Sequence, residues 1–446
     1  MKIFIVGAGE VGYNLAEKLS SENHEVTILD KNERRLNEIS SKVNAFTFTG
    51  DGASIADLEN AQIQDSDIFV AVTDKDEVNL ISCFIANQYK IPLKIARVQN
   101  NEFSNLDIKR LGIDLFINTN YAVANEVENL VEFAEAHEFI TFDDGKVILF
   151  GIIVTSENPF CNKSLMELNE YRAKYPFLIV TIERNNEYII PKGNDKILEG
   201  DHIVFLTLGK HIKSIKKLFR TSKKRDKDSK NIFLIGAGEI GIEIAKILSK
   251  YKPYKLTIID KNLDKCKHAD SIIENALILN IDALEISQLL NEGFEHADIV
   301  ISVTNNDEVN IITSMIAKKL GTRKTIALIR RTGYSQFLDS FGIDNILSPR
   351  FITASYILKY VRRGKVVSAV PIFEGKAEII EYVITKDTLV SKQIMEIYLP
   401  ENTIIGAVVR NNNAIIPKGD TILKKDDKLI IFTKSEALSS LEKIFA

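Results

Sequence analysis

Residues 3–12 read "IFIVGAGEVG" and residues 232–241 read "IFLIGAGEIG", identical at seven of ten positions. Each is a short apolar run that ends on glycine and leads into an amphipathic stretch. After the first, Val11, Leu15 and Leu19 recur at four-residue spacing, one face of a helix. A strand that stops at Gly-x-Gly-x-x-Gly and passes at once into a helix is the opening of a doubly wound α/β unit. Its presence twice predicts two such units in one chain.

The duplication runs well beyond the turn. "VTILDKN" (26–32) returns as "LTIIDKN" (256–262), "DSDIFVAVTDKDEVN" (65–79) as "HADIVISVTNNDEVN" (296–310), and "LGIDLFIN" (111–118) as "FGIDNILS" (341–348). Between the copies lies a different segment that also repeats: "YIIPKGNDKILEGDHIVFLT" (188–207) is similar to "AIIPKGDTILKKDDKLIIFT" (414–433). The order is therefore A-B-A-B. The expected divisions are 1–120 and 231–350 for the A modules, 121–219 and 351–446 for the B modules, and a charged linker at 220–230. The tract "TSKKRDKDSK" (221–230) holds no apolar residue and reads as a solvated tether rather than a nucleic-acid contact.

Strands and helices alternate within an A module. "KIFIVGA", "EVTILD", "FTFTG", "DIFVAVT" and "LKIARV" read as strands, with the helix "EVNLISCFIANQY" between the last two. That pattern predicts a parallel sheet with helices on both faces. The B modules carry the short strands "VILFGIIV", "FLIVTIER", "EYIIP" and "HIVFLTL", with an Asn-Asn turn at 185–186. The fold class is thus α/β, with two Rossmann-like doubly wound parallel-sheet domains, each followed by a small α+β domain. A crossover helix, "YAVANEVENLVEFAEA" (121–136), joins the first A to its B. Its apolar face either caps its own module or crosses to a second subunit.

The glycines and aspartates point to a nucleotide. Gly7 permits the tight turn, Gly9 lets backbone approach a pyrophosphate, Gly12 brings the helix close to the sheet, and the first N–H groups of the helix hold phosphate charge. Asp30 ends the second strand 18 residues after Gly12, where a carboxylate accepts hydrogen bonds from both ribose hydroxyls and repels a 2′-phosphate. NAD(H) or an adenine nucleotide is therefore favoured over NADP(H). The candidate contacts are Gly7, Ala8, Gly9, Glu10, Val11, Gly12, Asp30, Lys31, Asp51, Thr73, Asp74 and Arg97 in the first copy. In the second they are Gly236, Gly238, Glu239, Gly241, Asp260, Asp282 and Thr304. Asp51 alternatively caps a helix near Ser54, and Arg97 alternatively bridges to an acidic neighbour. In "LNIDAL" (279–284) Asn280 is read in place of Gly50, and Leu328 stands where Arg97 stood, so the second site is expected to bind differently or more weakly.

The net charge of −4 and sequence pI near 6.0 give no broad attraction for nucleic acid. Cys83, Cys161 and Cys266 are far apart and form no metal-ligand spacing, which fits a reduced cytosolic setting. The start of the sequence does not read as a signal peptide, and no apolar run has the length of a membrane span. His24, His137, His202, His211, His268 and His296 do not recur at matching positions, so none reads as an acid/base catalyst. Two nucleotide sites without a catalytic constellation describe a sensor rather than an enzyme. The alternative is an NAD-dependent oxidoreductase of unusual architecture.

These motifs, together with "TGDGAS", "IARV" and the twin "IIPKG" segments, resemble the TrkA family of cytosolic regulatory subunits of bacterial and archaeal potassium transporters, over nearly the whole chain. The resemblance implies tandem RCK modules, no enzymatic activity, and self-association into a ring beneath a membrane-embedded TrkH or TrkG type pore subunit. It also implies control by exchange of NAD(H), ATP or ADP, at the cytoplasmic face of the membrane. Carried across, Gly7, Gly9 and Gly12 hold the phosphates, Asp30 the ribose, Asp51 and Thr73 line the cleft, and Arg97 meets the phosphate chain. The family often has a second basic residue two positions beyond that arginine. Gln99 stands there, against a triphosphate preference. The small modules bind further regulators in some relatives, whereas the Pro191 and Pro417 segments read as structural here. A Ktr-like or Kef-like regulator is the related alternative, disfavoured by the tandem arrangement.

Overall fold

The computed structural model describes residues 1–22, 24–100, 103, 107, 109–132, 138–143, 145–185, 187–212, 214, 215, 230–331, 341–361, 366–372, 377–434 and 437–445. Of the charged tract 221–230, only Lys230 lies within them. Two compact bodies emerge, one from Met1–Glu128 with Asp228–Val361 and one from Asn129–Lys227 with Arg362–Ala446.

The first A module runs β1 (Lys2–Val6), α1 (Glu10–Ser21), β2 (Glu25–Asp30), α2 (Glu33–Ser40), β3 (Phe46–Thr49), α3 (Ile55–Asn60), β4 (Ile68–Ala71), α4 (Asp76–Gln88), β5 (Leu93–Val98), β6 (Leu115–Asn118) and α5 (Thr119–Glu132). Its sheet is parallel throughout in the order β3-β2-β1-β4-β5-β6. The strands are apolar on both faces because helices cover both. Ile3, Ile5, Ile28 and Val70 pack under Leu15, Leu19 and Leu36. Phe4, Leu29 and Phe69 pack on the other side with Leu58, Cys83 and Ala86. The sixth strand was not counted in the sequence reading: "LFIN" is short and half-buried, and its pairing with β5 makes it a strand.

The first B module contains β7 (Glu138–Phe142), β8 (Val147–Ile153), α6 (Asn169–Lys174), β9 (Phe177–Arg184), β10 (Glu187–Ile189) and β11 (His202–Leu208). The second A module repeats the first as β12 (Lys230–Ile235), α7 (Glu239–Leu248), β13 (Tyr254–Asp260), α8 (Leu263–Ile272), β14 (Ala276–Asn280), α9 (Ile286–Asn291), β15 (Ile299–Ser302), α10 (Asp307–Lys319), β16 (Lys324–Leu328), β17 (Asn345–Leu347) and α11 (Pro349–Val361). Its strand order, β14-β13-β12-β15-β16-β17, is the same. The second B module holds β18 (Val366–Ile372), β19 (Ala377–Val383), β20 (Thr403–Arg410), β21 (Asn413–Ile415), β22 (Lys428–Lys434) and α12 (Leu438–Phe445).

In the B body the sheets are antiparallel, β10-β9-β11-β8-β7 and β18-β19-β22-β20-β21. They share one apolar layer in which Leu149, Val204 and Leu206 meet Ile379, Ala407 and Phe432. Gly406 permits the closest approach, since a Cβ there would lie 2.7 Å from Leu206 Cδ1. Asn411 and Asn412 both adopt positive φ, 47° and 68°, as a two-residue hairpin between β20 and β21 requires. Asn185 does the same at 53° after β9, and Asn186 lies outside the described residues. Behind the twin "IIPKG" segments, buried Asp201 and Asp427 each hold an arginine, Arg184 and Arg410, in two-pronged ion pairs at 2.7–2.8 Å.

In the A body the helix of the second copy takes neither expected course. Ala354, Ile357, Leu358 and Val361 of α11 join the core of the first module, so this helix crosses within the same chain, not to a second subunit. On α5, Val123, Val127, Leu130 and Val131 are buried as expected, and residues 133–137 lie outside the described set. Half-buried Glu126 on the same helix has its carboxyl pushed up to about 7 by burial, against the opposing pull of Lys324. Its ordinary value is 4.5. A raised carboxyl contributes stability that is full below about pH 4.5 and is lost as the pH climbs through 7. Glu126→Gln is therefore expected to raise stability by about 2 kcal/mol at pH 8 and to leave it unchanged at pH 4.5. Denaturant midpoints at the two pH values check this, and an equal shift at both would refute it.

Candidate functional site

The first cleft opens at the carboxyl ends of β1 and β4, where the strand order reverses, the crevice at which a doubly wound sheet binds ligands. Gly7 has φ 111°, and a Cβ there would sit 3.0 Å from Thr73 N, so only glycine fits the turn. At Gly9 an added Cβ would meet nothing within 4 Å, which leaves room for a ligand against the backbone. Gly9 is also the N-cap of α1 and supplies no side-chain acceptor, so the N–H groups of the first turn remain available to an anion. Gly238 and α7 repeat both features.

Asp30 sits at the end of β2 and is already engaged by the turn. One carboxylate oxygen accepts from Ala8 N at 2.6 Å and the other from Asn32 N at 2.8 Å. Asp260 accepts from Ala237 N at 2.9 Å and Asn262 N at 2.8 Å in the same way. Each oxygen has further acceptor capacity and the residue lines the cleft, so the aspartate can bind ribose while fixing the loop that receives it. Asp51 pairs with Lys31 at 2.8 Å, and this hydrogen bond holds its carboxyl below the usual range. The α3 cap belongs to Ser54, not Asp51.

Behind the cleft, fully buried Asn79 makes four hydrogen bonds. It accepts from Thr73 N at 2.8 Å and Thr73 Oγ1 at 2.7 Å, and donates to Thr73 O at 3.0 Å and Arg97 O at 2.9 Å. Asn310 repeats all four with Thr304 and Leu328. Arg97 is bridged to Asp74 at 3.5 Å and donates to Thr119 Oγ1 at 3.1 Å. Burial lowers its pKa and Asp74 opposes that shift.

Gly7, Gly9, Asp30, Lys31, Asp51, Thr73 and Asp74 come together around a cleft of about 200 Å³. Gly236, Gly238, Asp260, Asp282 and Thr304 do so around about 240 Å³. The remaining residues serve elsewhere. Val11 is in the core, and Gly12 and Gly241 pack against Gly7 and Gly236. Glu10 bonds Arg350 of the second module, and Glu239 accepts from Asn120 of the first at 3.0 Å. Arg97 lines a separate cavity between the two A modules. One alignment changes: Asn280 pairs with Asp260 as Thr49 pairs with Asp30, so Ile281, not Asn280, stands at the place of Gly50.

The sequence reading missed Arg35 and Lys75 in the first cleft and Lys261 and Lys265 in the second. It also missed Arg330, which donates to Thr304 O at 2.8 Å. Laying 303–310 on 72–79 and counting on would have found it, because Arg330 falls opposite Gln99.

Family comparison places this geometry. The TrkA-N domain model matches residues 3–119 and 232–349, and the TrkA-C domain model matches 149–220 and 379–446. The chain is 33% identical over 457 residues to Trk system potassium uptake protein TrkA homolog 1 of Methanosarcina mazei, covering all of both chains. The chain belongs to the TrkA family. The TrkA protein of Halomonas elongata is 30% identical over all of this chain and 98% of its own. Among solved structures, the RCK domain of GsuK superposes with a TM-score of 0.63 at 18% identity, over 100% of this chain and 94% of that one. The GsuK channel bound to NAD gives the same score over 78% of its own length. At that identity the likeness to GsuK is one of fold, and the fold is the tandem RCK arrangement expected of a TrkA-family chain. Among the described residues, no helix is long and apolar enough to cross a membrane.

Proposed function

We propose that this chain is the nucleotide-binding regulatory subunit of a Trk-type potassium uptake system, a regulator and not an enzyme. The observation that carries the reading is the pairing, twice over, of an uncapped helix N-terminus with a strand-end carboxylate across an open glycine turn. That arrangement suits the pyrophosphate and ribose of NAD(H), with ATP or ADP as alternatives. Potassium uptake is supported by its full-length relatives, the TrkA potassium uptake proteins, and nucleotide control by the GsuK channel of the same fold bound to NAD. The A modules are the sensors and the B modules their small companions. The chain works in the cytoplasm, assembled as a ring against a TrkH or TrkG type pore subunit at the inner face of the membrane. Ligand exchange shifts the ring between states by a coupling on the order of 1–3 kcal/mol.

Calorimetric titration of the intact chain with NADH, NAD, ATP and ADP tests this. Asp30→Ala is expected to weaken nucleotide binding at the first cleft about 10- to 100-fold, the worth of one charged hydrogen bond to ribose. It will also lower stability by about 1–2 kcal/mol, because Ala8 N and Asn32 N lose their acceptors. Unchanged affinity in the folded variant would remove the ribose assignment. Steady NADH oxidation by the purified chain would count against the regulator reading.

A further inference from the structure

The contacts between the two halves of the chain have a direction. In the A body, Glu10 of the first half bonds Arg350 of the second, and the hydroxyl of Tyr251 in the second donates to Glu128 on α5. Lys324, a lysine only 1% exposed on β16, pulls on the carboxyl of Glu126 on the same helix. In the B body, Lys428 of the second half reaches Asp143 of the first at 2.5 Å. At each of these places the first half supplies the carboxylate and the second half the cation or hydroxyl. Two contacts run the other way, Asn120 to Glu239 at 3.0 Å and Lys146 to Asn412 at 2.5 Å, and each joins a charge to a neutral amide.

The duplication shows what each half would meet in its own like. Carrying the match of 111–118 with 341–348 onward, Tyr356 takes the place of Glu126 and Leu358 that of Glu128. Strand register puts Leu93 at the place of Lys324, and counting from the buried leucines Leu19 and Leu248 puts Glu22 at the place of Tyr251. Two first halves would therefore set Glu126 against a leucine and Glu128 against a second carboxylate. Two second halves would set buried Lys324 against a tyrosine. In the B body Lys428 begins β22 as His202 begins β11, and the sequence has Phe373 where the first copy has Asp143. A pair of first halves would offer Asp143 a histidine already held by Glu183 at 3.2 Å, and a pair of second halves would offer Lys428 a phenylalanine. Removing one partner of a buried ion pair costs more than the pair contributes, so the penalty falls on like pairing. The Glu10 contact does not discriminate, because Glu239 and Arg350 of two second halves would pair as well.

We propose that these side chains sort the halves: each half of this chain accepts the unlike half, from its own chain or from a second copy, and rejects its like. The apolar layers give no such choice, being aliphatic and aromatic on both sides. Copies that come together through these surfaces do so by exchanging halves, so every first cleft keeps a second cleft as its partner. The inference holds whatever ligand the clefts take.

A full chain with a protease site placed in the charged tract at 221–230, folded and then cut, frees the halves from their tether. Cut chains of ordinary and heavy-isotope mass are unfolded together in urea and diluted back into buffer, and native mass spectrometry reads which halves share a pair. Unlike pairs, ordinary and heavy mixed, are expected to outnumber like pairs by about tenfold or more. Mixing cut Asp143→Lys chain with cut Lys428→Asp chain tests the sorting side chains themselves. The first half of the one and the second half of the other should combine about tenfold more often than either altered half with an unaltered partner. The milder double variant Asp143→Asn with Lys428→Gln should lower the excess of unlike pairs severalfold, and circular dichroism before cutting establishes that each chain is folded. Like pairs in equal amount would overturn the inference. So would halves that fail to find each other without the tether, or reversed charges that show no preference for their match.

Discussion

Gly12→Ala is expected to destabilise the first A module by about 3–5 kcal/mol and to abolish nucleotide binding at its cleft. A Cβ at position 12 would lie 1.9 Å from the carbonyl oxygen of Gly7 and 3.0 Å from its carbonyl carbon. Both are backbone atoms of a turn that has its own constraint, since Gly7 sits at positive φ against Thr73. No rotamer change relieves such a contact. The alternative is to lift α1 off the sheet, but α1 buries Val11, Leu15, Ala16 and Leu19 there, and each loses packing if the helix moves. Gly241→Ala should do the same to the second module, where the distance to Gly236 O is again 1.9 Å. Gly9→Ala is the informative contrast. With nothing within 4 Å of the added methyl, stability should change by no more than about 0.5 kcal/mol while the methyl intrudes on the ligand's space. Denaturant unfolding and nucleotide titration on the three variants measure both effects. Equal stability of Gly12→Ala and Gly9→Ala would show that helix and turn are less tightly joined than their geometry requires.

That contrast also marks what was legible in the chain before its fold was known. The roles of Gly7, Gly9 and Gly12 depend on a strand, a turn and a helix contiguous in sequence, and Asp30 on the end of the next strand. Local pattern was enough for these, and the duplication doubled the signal. The places where the reading fell short depend on contacts between distant segments. "LFIN" becomes a strand through β5, and nothing in four half-buried residues announces it. Asn280 was set against Gly50 by counting along a copy one residue longer, whereas strand register fixes it opposite Thr49. The place of Arg97 on the wall of a cavity between the A modules and the engagement of Glu10 by Arg350 follow from one module facing the other. No periodicity within either copy encodes that pairing. The crossover helix was read as capping its own module or reaching a second subunit, and α11 instead covers the other module of the same chain.

Asn79→Leu is expected to cost about 3–5 kcal/mol, although leucine is close to asparagine in size and suits a buried position. Asn79 stands in the first turn of the helix read from "EVNLISCFIANQY", where it is fully buried and binds three backbone groups as well as the Thr73 hydroxyl. Removing it strands Thr73 N, Thr73 O and Arg97 O without their present partners, at about 1–3 kcal/mol for each buried group that finds no replacement. The hydroxyl retains an alternative acceptor in Lys75 O, so its loss adds little. The functional consequence follows from what these atoms hold in place. Thr73 is wedged between Asn79 and the space that glycine leaves at position 7, so its release opens the turn side of the first cleft. Arg97 is carried by the strand whose carbonyl Asn79 anchors, so the same substitution loosens the arginine that lines the cavity beside the second turn. Asn79→Leu should therefore weaken nucleotide binding at the first cleft, and Asn310→Leu at the second, where it holds Thr304 in the same way. Titration of NADH and ADP into both variants, each in the folded state, measures this. Unchanged binding in folded Asn79→Leu would mean that Asn79 stabilises its own loop without shaping the cleft.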